Sequence, residues 1–500
     1  MSQIVSADGM AGKRLRLSGF IRTEGITTGY AGYWVLVYDQ TGIPTSADMS
    51  SQGLSGTLPW TRYSIEIDVP ADASLAVIGF ELPGNGTAWF DNLTLEADGQ
   101  PLQEGPPPVL PVPTPGHVNW VRQNAIPVET VEAGHGFADL QPLRQAIGDA
   151  RIVSLGEATH GTREFFQIKH RLLEFLVTEM GFTHFSIEAN MPEAYRINDY
   201  VLTGQGDPEE LVEGMGFWTW NTREMLDMVL WMRAYNASGR GPVQFTGFDA
   251  QVAAGAADNL RGFLAEADPA YLPAAESAFA RVATAERTRR ATAADMAAAR
   301  AVLDHMSGRR NDYLASFSVE KVDWMIQNAR IVVQVIELIG RRAIRDRSMA
   351  ENVNWILDHA PAGSKIVLWA HNGHVNRVPQ WMGGYLDERH GDDMYILSLN
   401  LGNGRYNARG PEGLTSHPVH PPVPGSLETL FQATGMPRFI LDLRHMDEEA
   451  PDLWFRKPRL LQSHGAAHYR CTFYPTVVTA DYDGMVWIDP TSPSTLLPFD

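Results

Sequence analysis

The chain has 500 residues, too many for one ordinary core, and its 44% apolar and 20% charged content describes a globular protein of two or three domains. A formal net charge of −19 argues against a nucleic-acid partner, which would call for a basic face, and equally against an anionic membrane surface. The single cysteine, Cys471, cannot close an internal disulfide; it reads as a buried structural thiol, and nothing requires an oxidising compartment.

From the N-terminus, Met1 to Gly19 lacks a basic segment followed by an apolar one, and no run is long enough to span a bilayer, so a cytoplasmic location is expected. Residues 12–97 read as all-β. Leu15, Leu17 and Ile21 alternate with Arg14, Arg16 and Arg22, and Tyr63, Ile65, Ile67 and Val69 alternate with Ser64, Glu66 and Asp68, which is the two-residue period of strands with one buried face. Turn residues such as Pro83-Gly84-Asn85-Gly86 separate short runs, so residues 1–100 are expected to form a β-sandwich. The module is expected to begin at about Gly12 without its first strand. Trp34, Trp60 and Trp89 are assigned to its core, because sandwich cores bury aromatics. Residues 101–117 include Glu104-Gly105-Pro106-Pro107-Pro108 and run to Pro115, a stiff extended linker.

From about residue 118 strands alternate with helices. Candidate strands are 151–155, 184–188, 243–248, 365–370, 394–399 and 438–443. Between the first two, Ile168, Leu172, Phe175 and Leu176 fall at i, i+4, i+7 and i+8, one apolar helical stripe. Strand, helix, strand in that order implies an α/β fold with a mostly parallel sheet and covering helices over 118–500. Residues about 252–360 are helical in character and read as a large insertion.

The ends of these strands carry the chemistry. The first runs into Gly156-Glu157-Ala158-Thr159-His160-Gly161, the second ends in Glu188, the third in Asp249, and the fourth enters His371-Asn372-Gly373-His374. Side chains at the carboxyl ends of parallel strands face the crevice where ligands of such folds bind, so two Glu, an Asp and three His are expected at one edge. Other chemistries have no signature. Gly-x-Ser-x-Gly, His-Glu-x-x-His, paired Cys-x-x-Cys, a P-loop and Gly-x-Gly-x-x-Gly after a strand are all missing. Imidazole and carboxylate without an evident nucleophile suit activation of water by a general base. His160 is the expected base, with Glu157 or Glu188 orienting its ring, and one of His371 and His374 is the expected donor to the oxyanion. Arg163, Lys169 and Arg171 follow the first motif, to hold the site's carboxylates or an acidic substrate group. Trp218 and Trp220 could wall a large apolar ligand or pack the core. Arg163, Arg171, Trp218, Trp220 and Asp249 are assigned to substrate binding.

The same residues carry a resemblance. Gly156 to Arg171, Asn198-Asp199-Tyr200-Val201, Phe217 to Glu224, Trp231 to Asn236, Gly247-Phe248-Asp249, Arg345 to Asn352 and Trp369 to His374 resemble the erythromycin esterase family, in the family's order, over roughly 120–495. The resemblance implies an α/β fold and metal-independent hydrolysis of an ester by water, with macrolide lactones as the named substrates. His160 matches the family's general base, Glu157 its carboxylate partner, and His371 and His374 its second histidine motif. It implies no cofactor and a small-molecule ester or lactone, glycosylated or not, as the partner. The chain departs from members built of the catalytic domain alone by adding residues 1–100, where Trp60 to Tyr63 and Gly84 to Asn92 resemble a carbohydrate-binding jelly-roll module. A metal-dependent hydrolase on the same residues and a non-hydrolytic biosynthetic accessory protein are the alternative readings.

Overall fold

The computed structural model describes residues 2–498 apart from 8, 40–43, 51, 83–84, 103–110, 340–343, 445, 447–453 and 469–472. Cys471, Pro83-Gly84 and most of the proline-rich stretch lie outside the described residues. The chain divides into two compact units, one of residues 1–125, 420–437 and 443–481, the other of 126–419, 438–442 and 482–500.

The first unit opens with an antiparallel sheet built from β1 (Ser2–Ser6), β2 (Arg14–Tyr38), β3 (Pro44–Asp48), β4 (Leu54–Asp68), β5 (Leu75–Glu81), β6 (Thr87–Ala97) and β7 (Gln100–Pro101). The first half of β2 pairs with β4 and β6, its last residues with β3 and β5. Leu15, Leu17 and Ile21 enter the core with Tyr33, Val35, Ile65 and Ile67, while Arg14, Arg16 and Arg22 point outward. Three expectations need correction. A strand precedes Gly12, because residues 2–6 pair with β5. Trp60 and Trp89 are exposed, at 45% and 37%. Trp89 sits opposite Arg22 on the polar face of β2, and the guanidinium lies 4.5 Å from its ring. Finally, the extended linker ends sooner: Pro115–Asn124 is a helix, with Pro at its start and a reciprocal Thr114–His117 cap.

That helix also explains why the first unit is not a linear segment. Arg122 donates to the carbonyls of Thr434 and Ala433 at 2.8 and 3.2 Å, which ties it to the end of the helix Leu427–Ala433. Trp120 lies 5.3 Å from Phe455. A boundary at residue 117 with everything beyond it in one body therefore does not describe the chain.

The second unit is organised on an eight-stranded sheet. Its strands are β8 (Ile126–Pro127), β9 (Ile152–Leu155), β10 (His184–Asn190), β11 (Gln244–Asp249), β12 (Ile366–Trp369), β13 (Met394–Leu401) and β16 (Arg438–Asp442), with a hairpin of β14 (Arg405–Gly410) and β15 (Gly413–Pro418) beside it. β17 (Arg459–Gln462) and β18 (Phe473–Thr476) pair with each other in the first unit, and β19 (Gly484–Ile488) completes the sheet. The order is β11-β10-β12-β9-β13-β19-β16-β8. Pairing is parallel from β11 to β19 and antiparallel at β16 and β8. β19, absent from the sequence reading, separates β13 from β16. The insertion is helical, with Ala254–Ala267, Leu272–Thr288, Ala293–Gly308, Val319–Leu338 and Arg345–His359 as its main helices. Among the described residues no helix is long and apolar enough to cross a membrane.

Register decides where the strand ends fall. Leu155, Trp369, Ile187 and Leu397 stand in one row; β9 and β12 end there, while β10 and β13 run on to Asn190 and Leu401. Two glycines allow the loop after β9 to lie flat there. A Cβ on Gly156 would come 2.2 Å from Asn372 Oδ1, and one on Gly161 would come 2.0 Å from the Asn407 carbonyl oxygen of β14. Asn372 uses this space to reach across the end of β9, bonding Leu399 of β13 through both amide atoms at 3.0 and 3.1 Å.

These contacts predict that Gly161→Ala lowers stability by about 1–3 kcal/mol, because the obstruction is backbone and cannot swing away. Gly262→Ala, in the helix Ala254–Ala267 with nothing within 4 Å of the new methyl, should be neutral or stabilising by up to ~1 kcal/mol. Thermal melts of both variants check this; equal shifts would contradict it.

Candidate active site

Glu157 is the centre of the loop after β9. It is fully buried, and each carboxylate oxygen has charge-assisted partners. Oε1 faces His160 Nδ1 at 2.6 Å; Oε2 accepts from Lys169 Nζ at 2.8 Å and from the Trp369 indole N–H at 2.9 Å. Lys169 reaches the carboxylate because the helix Arg163–Met180 starts immediately after the loop and turns this face inward. Its ammonium also lies 4.2 Å from the Trp369 ring. Burial pushes the Lys169 pKa down to about 8, against the opposing pull of Glu157 and Glu188. A carboxylate that accepts from Nδ1–H fixes the imidazole tautomer and leaves Nε2 as the basic nitrogen.

A second cluster surrounds Arg345, the first residue of the helix Arg345–His359. Its Nη2 donates to Glu188 Oε1 and to Asp249 Oδ2, both at 2.6 Å, and its Nη1 lies 3.0 Å from His374 Nε2. Asp346 Oδ1 holds the other nitrogen of His374 at 2.6 Å. Burial disfavours the His374 imidazolium, but Glu188 and Asp346 outweigh it and raise the pKa. Burial also opposes ionisation of Glu188, yet His374, Arg345 and His160 hold its carboxyl well below the usual range. Glu188 Oε2 accepts the backbone N–H of His371 at 2.9 Å, which joins the two clusters.

His371 lies between them, its ring 5.4 Å from that of His160 and 6.3 Å from that of His374. It caps the short helix Asn372–Val375 by accepting the Gly373 N–H at 3.1 Å. Burial, with the neighbouring His160 and His374, pushes its pKa down to about 3, so this ring is neutral near pH 7. Trp220 stands edge-on to His160 at 5.6 Å and donates its indole N–H to the Glu188 carbonyl at 3.0 Å.

The structure thus brings together Glu157, His160, Glu188, Asp249, His371, His374 and Trp220. Trp218 is buried close by in the chain. Two expected substrate contacts have other partners. Arg171 is buried against Asp139 and the carbonyls of Thr130 and Gly136, at 2.5–2.9 Å. Arg163 bonds Thr495 at 3.1 Å and pairs with Glu224 at 3.3 Å. Of the three cations after the first motif, Lys169 holds the site carboxylate. Arg345, Asp346 and Trp369 had no assigned role in the sequence reading, although all lie in its quoted motifs. For Arg345 and Asp346 the only advance signal is the unusual density of charge in Arg345-Asp346-Arg347 at a helix start. Among the described residues no three His, Cys, Asp or Glu side chains are gathered to hold a metal ion; the Arg345 guanidinium occupies the space between Glu188 and Asp249.

Removing that guanidinium should be costly. Arg345→Met leaves two buried carboxylates facing each other, a loss of about 3–5 kcal/mol. The depressed Glu188 carboxyl contributes stability that is present above the ordinary Glu value of about 4.3 and is lost as pH falls through its lower folded value. The stability gap between wild type and Glu188→Gln should therefore be widest near neutrality and shrink toward about pH 3. Denaturant titrations of the pair across that range check it; a constant gap would mean that Glu188 is not held ionised.

The model of the erythromycin esterase family matches residues 177–491, which span β10, β11 and β12 with Glu188, Asp249 and His371. Erythromycin esterase type II of Escherichia coli is 24% identical over 381 residues, covering 66% of this chain and 89% of that protein. A Bacillus cereus protein of solved structure superposes with a TM-score of 0.70 at 26% identity, covering 78% of this chain and 100% of its own. A solved succinoglycan biosynthesis protein gives 0.67 at 25%, with 76% and 98% covered. With more than half its length matched, including the strands that carry the second cluster, this chain belongs to the erythromycin esterase family.

Proposed function

We propose that this protein hydrolyses an ester or lactone of a medium-sized small molecule, with His160 activating the attacking water. The observation that carries the reading is the buried Glu157–His160 contact of 2.6 Å at the carboxyl edge of the sheet. Nε2 of His160 takes a proton from water as the oxygen attacks the carbonyl carbon, and Glu157 stabilises the imidazolium. The carbonyl oxygen becomes an oxyanion. One of His371, which lies adjacent to His160, and His374, which is held between Asp346 and Arg345, donates to it. Collapse of the tetrahedral intermediate breaks the C–O bond to the leaving group, which recovers the proton from His160. Trp220 and Trp218 form an apolar wall, and the Arg345 cluster fixes Glu188 and Asp249. No metal is needed in this scheme. Family membership and the esterase relative support a macrolide-like ester as the substrate class.

A panel of p-nitrophenyl esters, aliphatic lactones and erythromycin, tested on wild type and His160→Ala, decides the assignment. The variant should lose roughly 10²–10⁴ in kcat/KM on any substrate the wild type turns over. Its stability should change by only about 0.5–3 kcal/mol. A folded variant with near wild-type turnover would overturn the role of His160.

A further inference from the structure

We propose that Lys169 is a positioning residue whose proton sets the alkaline limit of this site: only its ammonium form holds Glu157 so that His160 presents Nε2 to water. The inference rests on the hydrolytic reading above for its consequence on turnover, but its structural half stands alone. Lys169 is fully buried, and its Nζ bonds Glu157 Oε2, the oxygen that His160 does not use. The second donor to that oxygen is the neutral indole N–H of Trp369, so Lys169 is the cation in direct contact with this carboxylate.

The surroundings of the ammonium define what its loss would do. From the loop after β9 it faces Glu157, and from the end of β10 it feels Glu188; from β12 it meets the Trp369 ring at 4.2 Å. On its own helix the next residue, His170, is turned to Trp231 and Glu174 and takes no part. Arg345 is committed to Glu188 and Asp249. When Lys169 gives up its proton, Oε2 of Glu157 is left with a neutral amine and an indole N–H as its donors. The ionic contact that fixes the Glu157 carboxylate from the side opposite His160 is then gone, and with it the alignment of the ring that the carboxylate holds. The lowered Lys169 pKa, about 8, places that event within reach of ordinary assays. An Arg at this position would keep the charge at any pH the fold tolerates.

The Trp369 indole N–H reports on the same carboxylate oxygen without any substrate. Its ¹H–¹⁵N signal, assigned by its disappearance in Trp369→Phe, should shift with a midpoint near pH 8 in wild type and stay flat from pH 7 to 9 in Lys169→Arg. In parallel, kcat/KM on p-nitrophenyl acetate should fall on the alkaline side in wild type with that same midpoint. The fall should disappear in Lys169→Arg, and Lys169→Met should lose at least ten-fold in kcat/KM with little change in KM. A flat wild-type indole signal overturns the proposal, as does an identical shift in Lys169→Arg. If Lys169→Met fails to fold, the wild-type and Arg titrations still decide. If the indole titrates as expected but no ester is cleaved, the hydrolytic reading fails and the Lys169–Glu157 coupling survives.

Discussion

Glu157 and Glu188 are ionisable groups buried at the carboxyl edge of one parallel sheet, and the cost of keeping them charged there organises the site. A carboxylate removed from water is tolerated only when its oxygens are matched by donors and its charge by a cation. Each has its own solution. Glu157 shares one oxygen with His160 and the other with Lys169 and Trp369; Glu188 shares Arg345 with Asp249 and takes the His371 backbone N–H. The first arrangement leaves an imidazole nitrogen unclaimed by protein carboxylates, while the second encloses His374 between Asp346 and Arg345. Two similar sets of residues therefore differ in what they can do. One leaves an imidazole nitrogen open, and the other encloses its imidazole on both sides.

Backbone packing makes the charge arrangement possible. Because β9 ends at Leu155 while β13 continues beside it to Leu401, the side chain of Asn372 crosses the gap to Leu399, and only a residue without a Cβ fits at position 156. Gly161 performs the same service against β14, where Asn407 N–H donates to its carbonyl at 3.0 Å. Between these clamps the peptide of Glu157 is held by its own carbonyl, which accepts from Asn372 N–H at 2.8 Å. Glu157 and His160 are thus mounted on a loop that behaves like part of the sheet.

The first unit obeys different rules. Its core follows the alternation of β2 and β4, and its charged face carries Arg14 paired with Glu66 and Asp68. Trp60 and Trp89 lie on the outside because strand pairing sets them on the face of the arginines, whatever their hydrophobicity. Segments from 420–437 and 443–481 join this unit, so chain order alone does not separate the bodies.

The sequence by itself determined the strands, since apolar runs bounded by turn residues mark 151–155, 184–188, 243–248, 365–370 and 394–399, and it determined which residues follow them. Glu157, His160, Glu188, Asp249, His371 and His374 were legible because a strand end is a local property and parallel order brings such ends to one edge. The tertiary structure decided the partners. Lys169, Arg163 and Arg171 lie within nine positions of each other on one helix, and only its rotation against the sheet directs Lys169 to Glu157 and Arg171 to Asp139. Arg345 comes from a helix far along the chain, and no pattern in its own segment names Glu188 or Asp249 as its counter-charges. The neutrality of His371 beside the raised pKa of His374 has the same origin. Proton affinity depends on burial and on which charges stand within a few ångströms, and those distances exist only once the sheet has set its register.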